Sequence, residues 1–207
     1  RNLKVWSIRE NMARLCLETD VTRFNKRPTA WFSPDATRLA VITTEKPGAG
    51  GVVSVRLFDV ESGRSVCVRD TWNLSSLSTR LVFSPKGKFF AVIGRDGEFA
   101  ISDSITGDVI HSLVGHQEMV RCAEFSSDGS RLVSGDYDGI VKIWDVKSGA
   151  HLLSFSGPDG GTRSVTFSGS GKRIAVAGER AVGVWDVASG VPMFRSTFST
   201  FVKDVSL

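Results

Sequence analysis

The stretch EFSSDGSRLVSGDYDGIVKIWDVKSG, residues 124–149, decides how the whole chain is to be read. An apolar strand ends in the bend Ser126-Ser127-Asp128-Gly129, whose residues tolerate tight turns. A second apolar strand runs to Asp138-Gly139, a dipeptide that accepts positive φ and closes hairpins. The run IVKIWDV then alternates in side-chain character, as a strand with two different faces does. Ser148-Gly149 turns the chain into a fourth strand, AHLLSFS. Four short strands joined by four-residue bends and tight turns make one compact antiparallel sheet.

That unit recurs along the chain. WFSPDATRLAVI from Trp31, VFSPKGKFFAVI from Val82 and TFSGSGKRIAVA from Thr166 match its first half. Their phenylalanines Phe32, Phe83, Phe125 and Phe167 are 51, 42 and 42 residues apart. VRLFDVESG, EFAISDSITG and AVGVWDVASG match its second half, and RNLKVWSIRE is a partial copy at the start. The spacing of 51 has a local cause, a longer loop over 43–54. No segment sustains a 3.6-residue apolar period, which predicts very little helix. A single four-stranded sheet of this size cannot bury both apolar faces, whereas radial stacking of neighbours at a period near forty does so. The prediction is an all-β propeller with four complete blades at 21–70, 71–113, 114–155 and 156–198. Residues 1–20 read as the end of a preceding blade, and 199–207 as the first strand of a further one.

With Gly115-His116, FSSDG, SGDYDG and Trp144-Asp145 in one unit, the chain resembles the WD40-repeat family over nearly all of its length. The resemblance implies a ring of about seven blades, so the chain reads as a fragment of a longer WD-repeat protein. Its open blade ends would then be covered by the rest of the parent chain or by another subunit. The resemblance also implies a hydrogen-bonded tetrad of His116, Ser134, Asp138 and Trp144, with Asp138 holding the imidazole. The other units depart from the pattern. Pro158 and Val176 replace His and Ser in the last full unit, and Ser102 and Phe58 stand in the Trp slot of two others.

Composition bounds the function. The 207 residues are 41% hydrophobic and 23% charged with a formal net charge of +4, an ordinary globular balance with a mild basic excess spread along the chain. No apolar run reaches the length of a membrane-spanning helix. Cys16, Cys67 and Cys122 form no CxxC, which disfavours zinc or a disulfide framework and points to a reducing, cytoplasmic or nuclear setting. The glycine-rich pieces at Gly48, Gly157 and Gly169 lack a following helix or the complete phosphate-binding pattern and read as turns. His116-Gln117-Glu118 lacks the downstream CxxC of a zinc deaminase, and no GxSxG is present. No catalytic, cofactor or metal site is expected.

Partner binding is the function that remains. In the resembled family, loops joining the fourth strand to the first, and the second to the third, face the narrow rim where partners dock. Here these supply Gln117, Met119, Tyr137, Arg180 and Trp72, and Arg121, Arg163 and Lys203 recur at one early first-strand slot. The leading expectation is a protein-binding scaffold in a multi-protein assembly. A propeller associated with nucleic acid or ribonucleoprotein, and a regulatory propeller attached to a catalytic module, are the alternatives.

Overall fold

The computed structural model describes residues 2–7, 12–18, 29–45, 52–69, 80–94, 99–202 and 204–206. It is all-β, with eighteen strands and no helix among the described residues. Strands β1 (Asn2–Ser7) and β2 (Met12–Glu18) form a two-stranded antiparallel pair. Four four-stranded sheets follow. The first holds β3 (Thr29–Phe32), β4 (Arg38–Glu45), β5 (Val52–Asp59) and β6 (Ser65–Arg69). The second holds β7 (Arg80–Phe83), β8 (Phe89–Ile93), β9 (Phe99–Asp103) and β10 (Val109–Ser112). The third holds β11 (Val120–Phe125), β12 (Arg131–Asp136), β13 (Ile140–Asp145) and β14 (His151–Ser156). The fourth holds β15 (Ser164–Phe167), β16 (Arg173–Ala177), β17 (Ala181–Asp186) and β18 (Pro192–Thr197).

Every sheet is a meander in which each strand pairs antiparallel with the next. The first strands β3, β7, β11 and β15 touch one another in succession and form the inner wall. The fourth strands lie outside, and β14 and β18 are largely exposed. The core lies between sheets. Leu81, Phe83 and Phe90 of the second sheet pack on Ala40, Val55 and Leu57 of the first. Ile93, Phe99 and Ile101 meet Phe125, Leu132 and Trp144 of the third. Val133, Val141 and Ile143 on the other face of that third sheet meet Val165, Ile174 and Trp185 of the fourth. Strand alternation explains the division: Leu132 points one way and Val133 the other, and both are fully buried.

Turn chemistry repeats with the blades. At the ends of β5, β13 and β17, Asp59, Asp145 and Asp186 accept hydrogen bonds from the backbone N–H and hydroxyl of Ser62, Ser148 and Ser189. These bonds hold the three carboxyls below the usual carboxylate range. The recurring aspartates are therefore turn caps.

One expectation from sequence needs correction. Thr43–Glu45 and Val52–Ser54, assigned to the loop over 43–54, pair with each other and extend the hairpin arms. Their β-branched residues favour the pleated conformation, so the insertion lengthens two strands before it turns. Residues 199–207 contain no strand among those described.

Packing between the third and fourth sheets leaves no space at Gly135. A Cβ there would stand 2.3 Å from Cγ2 of Thr162, which is fully buried. Gly135→Ala is expected to destabilise the chain by about 1–3 kcal/mol through overpacking. Urea unfolding of the variant checks this, and an unchanged midpoint would show that the two blades yield at this contact.

Candidate functional site

The third blade contains a chain of polar contacts on its face toward the second. The Trp144 indole N–H donates to Ser134 Oγ at 2.8 Å. Ser134 Oγ lies 2.7 Å from His116 Nε2, and His116 Nδ1 lies 2.7 Å from Asp136 Oδ2. The second oxygen of Asp136 accepts the Ile140 backbone N–H at 2.8 Å. One proton arrangement satisfies all of these: Nδ1–H donates to Asp136, and Ser134 O–H donates to Nε2. Phe99 of the second sheet closes the group, edge-on to both His116 and Trp144.

The aspartate in this group is Asp136, where the sequence pointed to Asp138. Ser134 and Asp136 are two residues apart in β12 and so share one sheet face. Asp136 is 2% exposed, while Asp138 is exposed at the hairpin tip. The i, i+2 spacing of Ser134 and Asp136 is compatible with this arrangement, and the pairing of β12 decides it.

Burial holds the His116 pKa below its ordinary value of 6.5, against the opposing pull of Asp136. The imidazole is therefore neutral in the folded chain at neutral pH. Protonation would make Nε2 a donor and leave the Ser134 hydroxyl proton without its acceptor.

Beside this group the loops that enter the third and fourth blades lie against the β12–β13 and β16–β17 hairpins. Arg121 stands at a β-bulge between Val120 and Cys122, the kind of irregularity that re-aims a side chain. Its guanidinium carbon lies 5.4 Å from the Tyr137 ring centroid, and Tyr137 is 58% exposed. Met119 O accepts the Tyr137 N–H. Gln117, Glu118, Asp138 and Lys142 line a shallow pocket of about 260 Å³ next to the tetrad. One blade further on, Arg163 pairs with Glu179 at 3.0 Å and lies 5.4 Å from the Phe201 ring. Arg180 lies 5.0 Å from the same ring. Phe201 is 59% exposed and Phe198 is 47% exposed.

The structure thus places Gln117, Met119, Tyr137, Arg163 and Arg180 in loops of the third and fourth blades, and Arg121 at the start of β11. Trp72 and Lys203 lie outside the described residues. Sequence reasoning missed Glu179, Phe201 and Glu124. Glu124 accepts from Thr166 Oγ1 at 2.8 Å and from the Phe167 N–H at 3.1 Å, stapling the inner strands of two blades, and burial raises its pKa. Glu124 and Thr166 hold the same slot of successive units, but the period alone does not say that their side chains meet.

The Cys122 thiol is buried and pushed up to about 12, so it is protonated at neutral pH. Among the described residues no group of three or more His, Cys, Asp or Glu side chains is placed to hold a metal ion. No helix among them is long and apolar enough to cross a membrane.

The chain has clear relatives. The family profile described as "WD domain, G-beta repeat" matches residues 107–145 and 149–186. The chain is 33% identical over 138 residues to Pre-mRNA-processing factor 19 homolog 2 of Arabidopsis thaliana, covering 65% of this chain and 26% of that protein. It is 30% identical over 166 residues to WD repeat-containing protein SL1-17 of Schistosoma mansoni, covering 74% of this chain and 52% of the relative. A 27% identity over 153 residues links it to the U3 small nucleolar RNA-associated protein 21 homolog of Schizosaccharomyces pombe, covering 73% of this chain and 16% of that one. The fold matches a chain in a crystal structure of the mitotic checkpoint complex with a TM-score of 0.75 at 22% identity, over 99% of this chain and 60% of that chain. The chain therefore spans between a sixth and about half of these curated relatives.

Two outcomes are expected from the tetrad. Asp136→Ala destabilises the chain by about 1–3 kcal/mol by leaving buried groups unpaired, whereas Asp138→Ala stays within about 0.5 kcal/mol of the parent. Chemical denaturation of both variants checks the assignment. Because the folded His116 pKa is depressed, the unfolded state binds the extra proton. The His116 contribution is complete above 6.5 and is lost as pH falls through that value toward the folded pKa. His116→Gln should flatten this part of the stability-against-pH curve. An unchanged slope would remove His116 from the cause.

Proposed function

We propose, from the premise that this chain belongs to the WD40-repeat family, that its blades form a scaffold whose narrow-end rim docks other proteins within a multi-protein assembly. The observation that carries this reading is the group of half-exposed aromatics at one rim, each held against arginine: Tyr137 on Arg121, and Phe201 on Arg163 and Arg180. Tyrosine and arginine are the side chains most enriched where protein partners gain affinity. Stacking fixes the guanidinium groups before a partner arrives, which reduces the ordering cost of binding. Relatives named for pre-mRNA processing and a structural neighbour within a checkpoint complex support membership of a large assembly. Two relatives named for RNA processing or RNA association also favour a nuclear setting.

The same names, with the net charge of +4, favour a second reading in which the propeller contacts RNA directly. Such binding would weaken steeply with salt, because each phosphate contact releases counterions. The rim aromatics and the spread of positive charge along the chain support the protein-docking reading first.

A photo-crosslinking amino acid placed at Tyr137 or Phe201 of the full-length parent tests the proposal, with Ser170, in the bend joining β15 to β16 at the opposite end, as the control. Protein crosslinks are expected at the first two positions and few at the third. Crosslinks confined to Ser170 would falsify the choice of rim. Crosslinks to RNA in place of protein would select the second reading.

A further inference from the structure

Arg121 and Arg163 occupy one quasi-equivalent slot, yet their surroundings differ in a way that identifies a missing ligand. Arg121 precedes Cys122, which pairs with Gly135, and Arg163 precedes Ser164, which pairs with Ala177. Two residues past Gly135 comes Tyr137, and two past Ala177 comes Glu179. The incoming loops also correspond. The Gly157 N–H donates to Gly139 O in one blade, and the Phe198 N–H donates to Arg180 O in the next. Along those loops, Gly161 stands two residues before Arg163, and Phe201 two residues before Lys203.

Arg163 thus has both kinds of neighbour that a guanidinium takes within its own chain. Glu179 supplies a carboxylate at 3.0 Å and Phe201 an aromatic face at 5.4 Å. At Arg121 the aromatic comes from Tyr137, in the place where the next blade has its carboxylate. The position corresponding to Phe201 is Gly161, with φ of 75°, and a Cβ there would stand 2.4 Å from Tyr137 O. No side chain at position 161 can therefore cover Arg121 from that side. No carboxylate among the described residues pairs with Arg121. Its guanidinium is oriented by the bulge and by Tyr137, and no carboxylate among the described residues neutralises its charge.

We infer that Arg121, backed by Tyr137 and bordered by Gly161, is the receptor for a carboxylate side chain of a partner polypeptide. The site takes from the partner what Glu179 supplies to Arg163. This rests on the protein-docking reading of the rim and adds its chemistry: an acidic segment, with Arg163 already satisfied and contributing little. A guanidinium offers two parallel N–H groups to a carboxylate, and the exposed Tyr137 ring gives the adjoining part of the segment an apolar surface. A phosphodiester backbone shares the negative charge but not the preference for a single planar carboxylate at one isolated arginine.

The test uses the full chain and a fluorescein-labelled peptide of alternating Glu, Leu and Gly, read by fluorescence anisotropy. Its Gln counterpart and an oligouridine RNA serve as comparisons. The Glu peptide should bind saturably. The loss of one charge-assisted contact should weaken it about tenfold in Arg121→Gln, and the Gln peptide should be weaker by a similar factor. Arg163→Gln should stay within about twofold, because Arg163 is already paired within the chain, and the thermal midpoint of Arg121→Gln should be unchanged. Equal losses in the two variants, no preference for Glu over Gln, or no saturable binding of the Glu peptide each overturn the inference. Tighter binding of the RNA that is lost in Arg121→Gln reassigns the site to phosphate and overturns it too. The scaffold reading is judged separately: protein crosslinks at Tyr137 that persist in Arg121→Gln would retain the rim and discard the carboxylate receptor.

Discussion

A four-stranded sheet with apolar residues on both faces has no stable existence alone, and the architecture of this protein answers that constraint. Leu132 and Val133 are adjacent in β12, fully buried, and directed to opposite neighbours. The second and third sheets each thereby contribute to two cores and own neither. Stability is then distributed over nearest-neighbour interfaces, as in other stacked-repeat proteins. The closeness of that packing is visible at Gly135, where Thr162 of the next blade takes the space a methyl group would need.

Within this arrangement the third blade adds a polar device. The indole of Trp144, the hydroxyl of Ser134, the imidazole of His116 and the carboxylate of Asp136 join the two middle strands, β12 and β13, to the loop that enters the blade. Each group is buried or nearly so, and each has its partner, which is the condition under which a polar network stabilises instead of weakening a core. The second blade lacks the device. Ser102 stands in its Trp slot with the hydroxyl buried and without a hydrogen-bond partner among the described residues. In the fourth blade Trp185 is retained, but it packs on Phe155 and under Arg195, with Val176 in the serine position. Equivalent positions thus carry different chemistry on one backbone, because the hydrophobic interfaces are sufficient to hold the sheets.

The rim follows the same principle. Its backbone repeats from blade to blade, while the side chains that meet there are drawn from three separate segments: the start of a first strand, the following hairpin and the next incoming loop. Arg163 is neutralised by Glu179 and covered by Phe201, whereas Arg121 has Tyr137 and an open glycine side. Quasi-symmetry makes this difference legible, since one blade shows the environment that the other lacks. A surface that binds selectively needs such asymmetry, as identical spokes around a channel could not fix the register of a partner.

The repeat itself belongs to the sequence. Phenylalanines at near-constant intervals, Asp-Gly and Ser-Gly turns, and two-residue alternation determine short strands, their order and their two apolar faces, because turn chemistry and side-chain alternation act over a few residues. His116, Ser134 and Trp144 were recognisable as a polar set within one unit for the same reason. The choice of Asp136 over Asp138 was decided by the tertiary structure, since it depends on which carboxylate lies on the buried face once β12 is paired. The strand extension over Thr43–Glu45 likewise depended on a partner across the hairpin. Glu124 bound to Thr166, and Arg163 set apart from Arg121, arise only when one blade meets the next. Those contacts join residues some forty positions apart or on separate loops, and their geometry is fixed by sheet stacking, which no local pattern encodes.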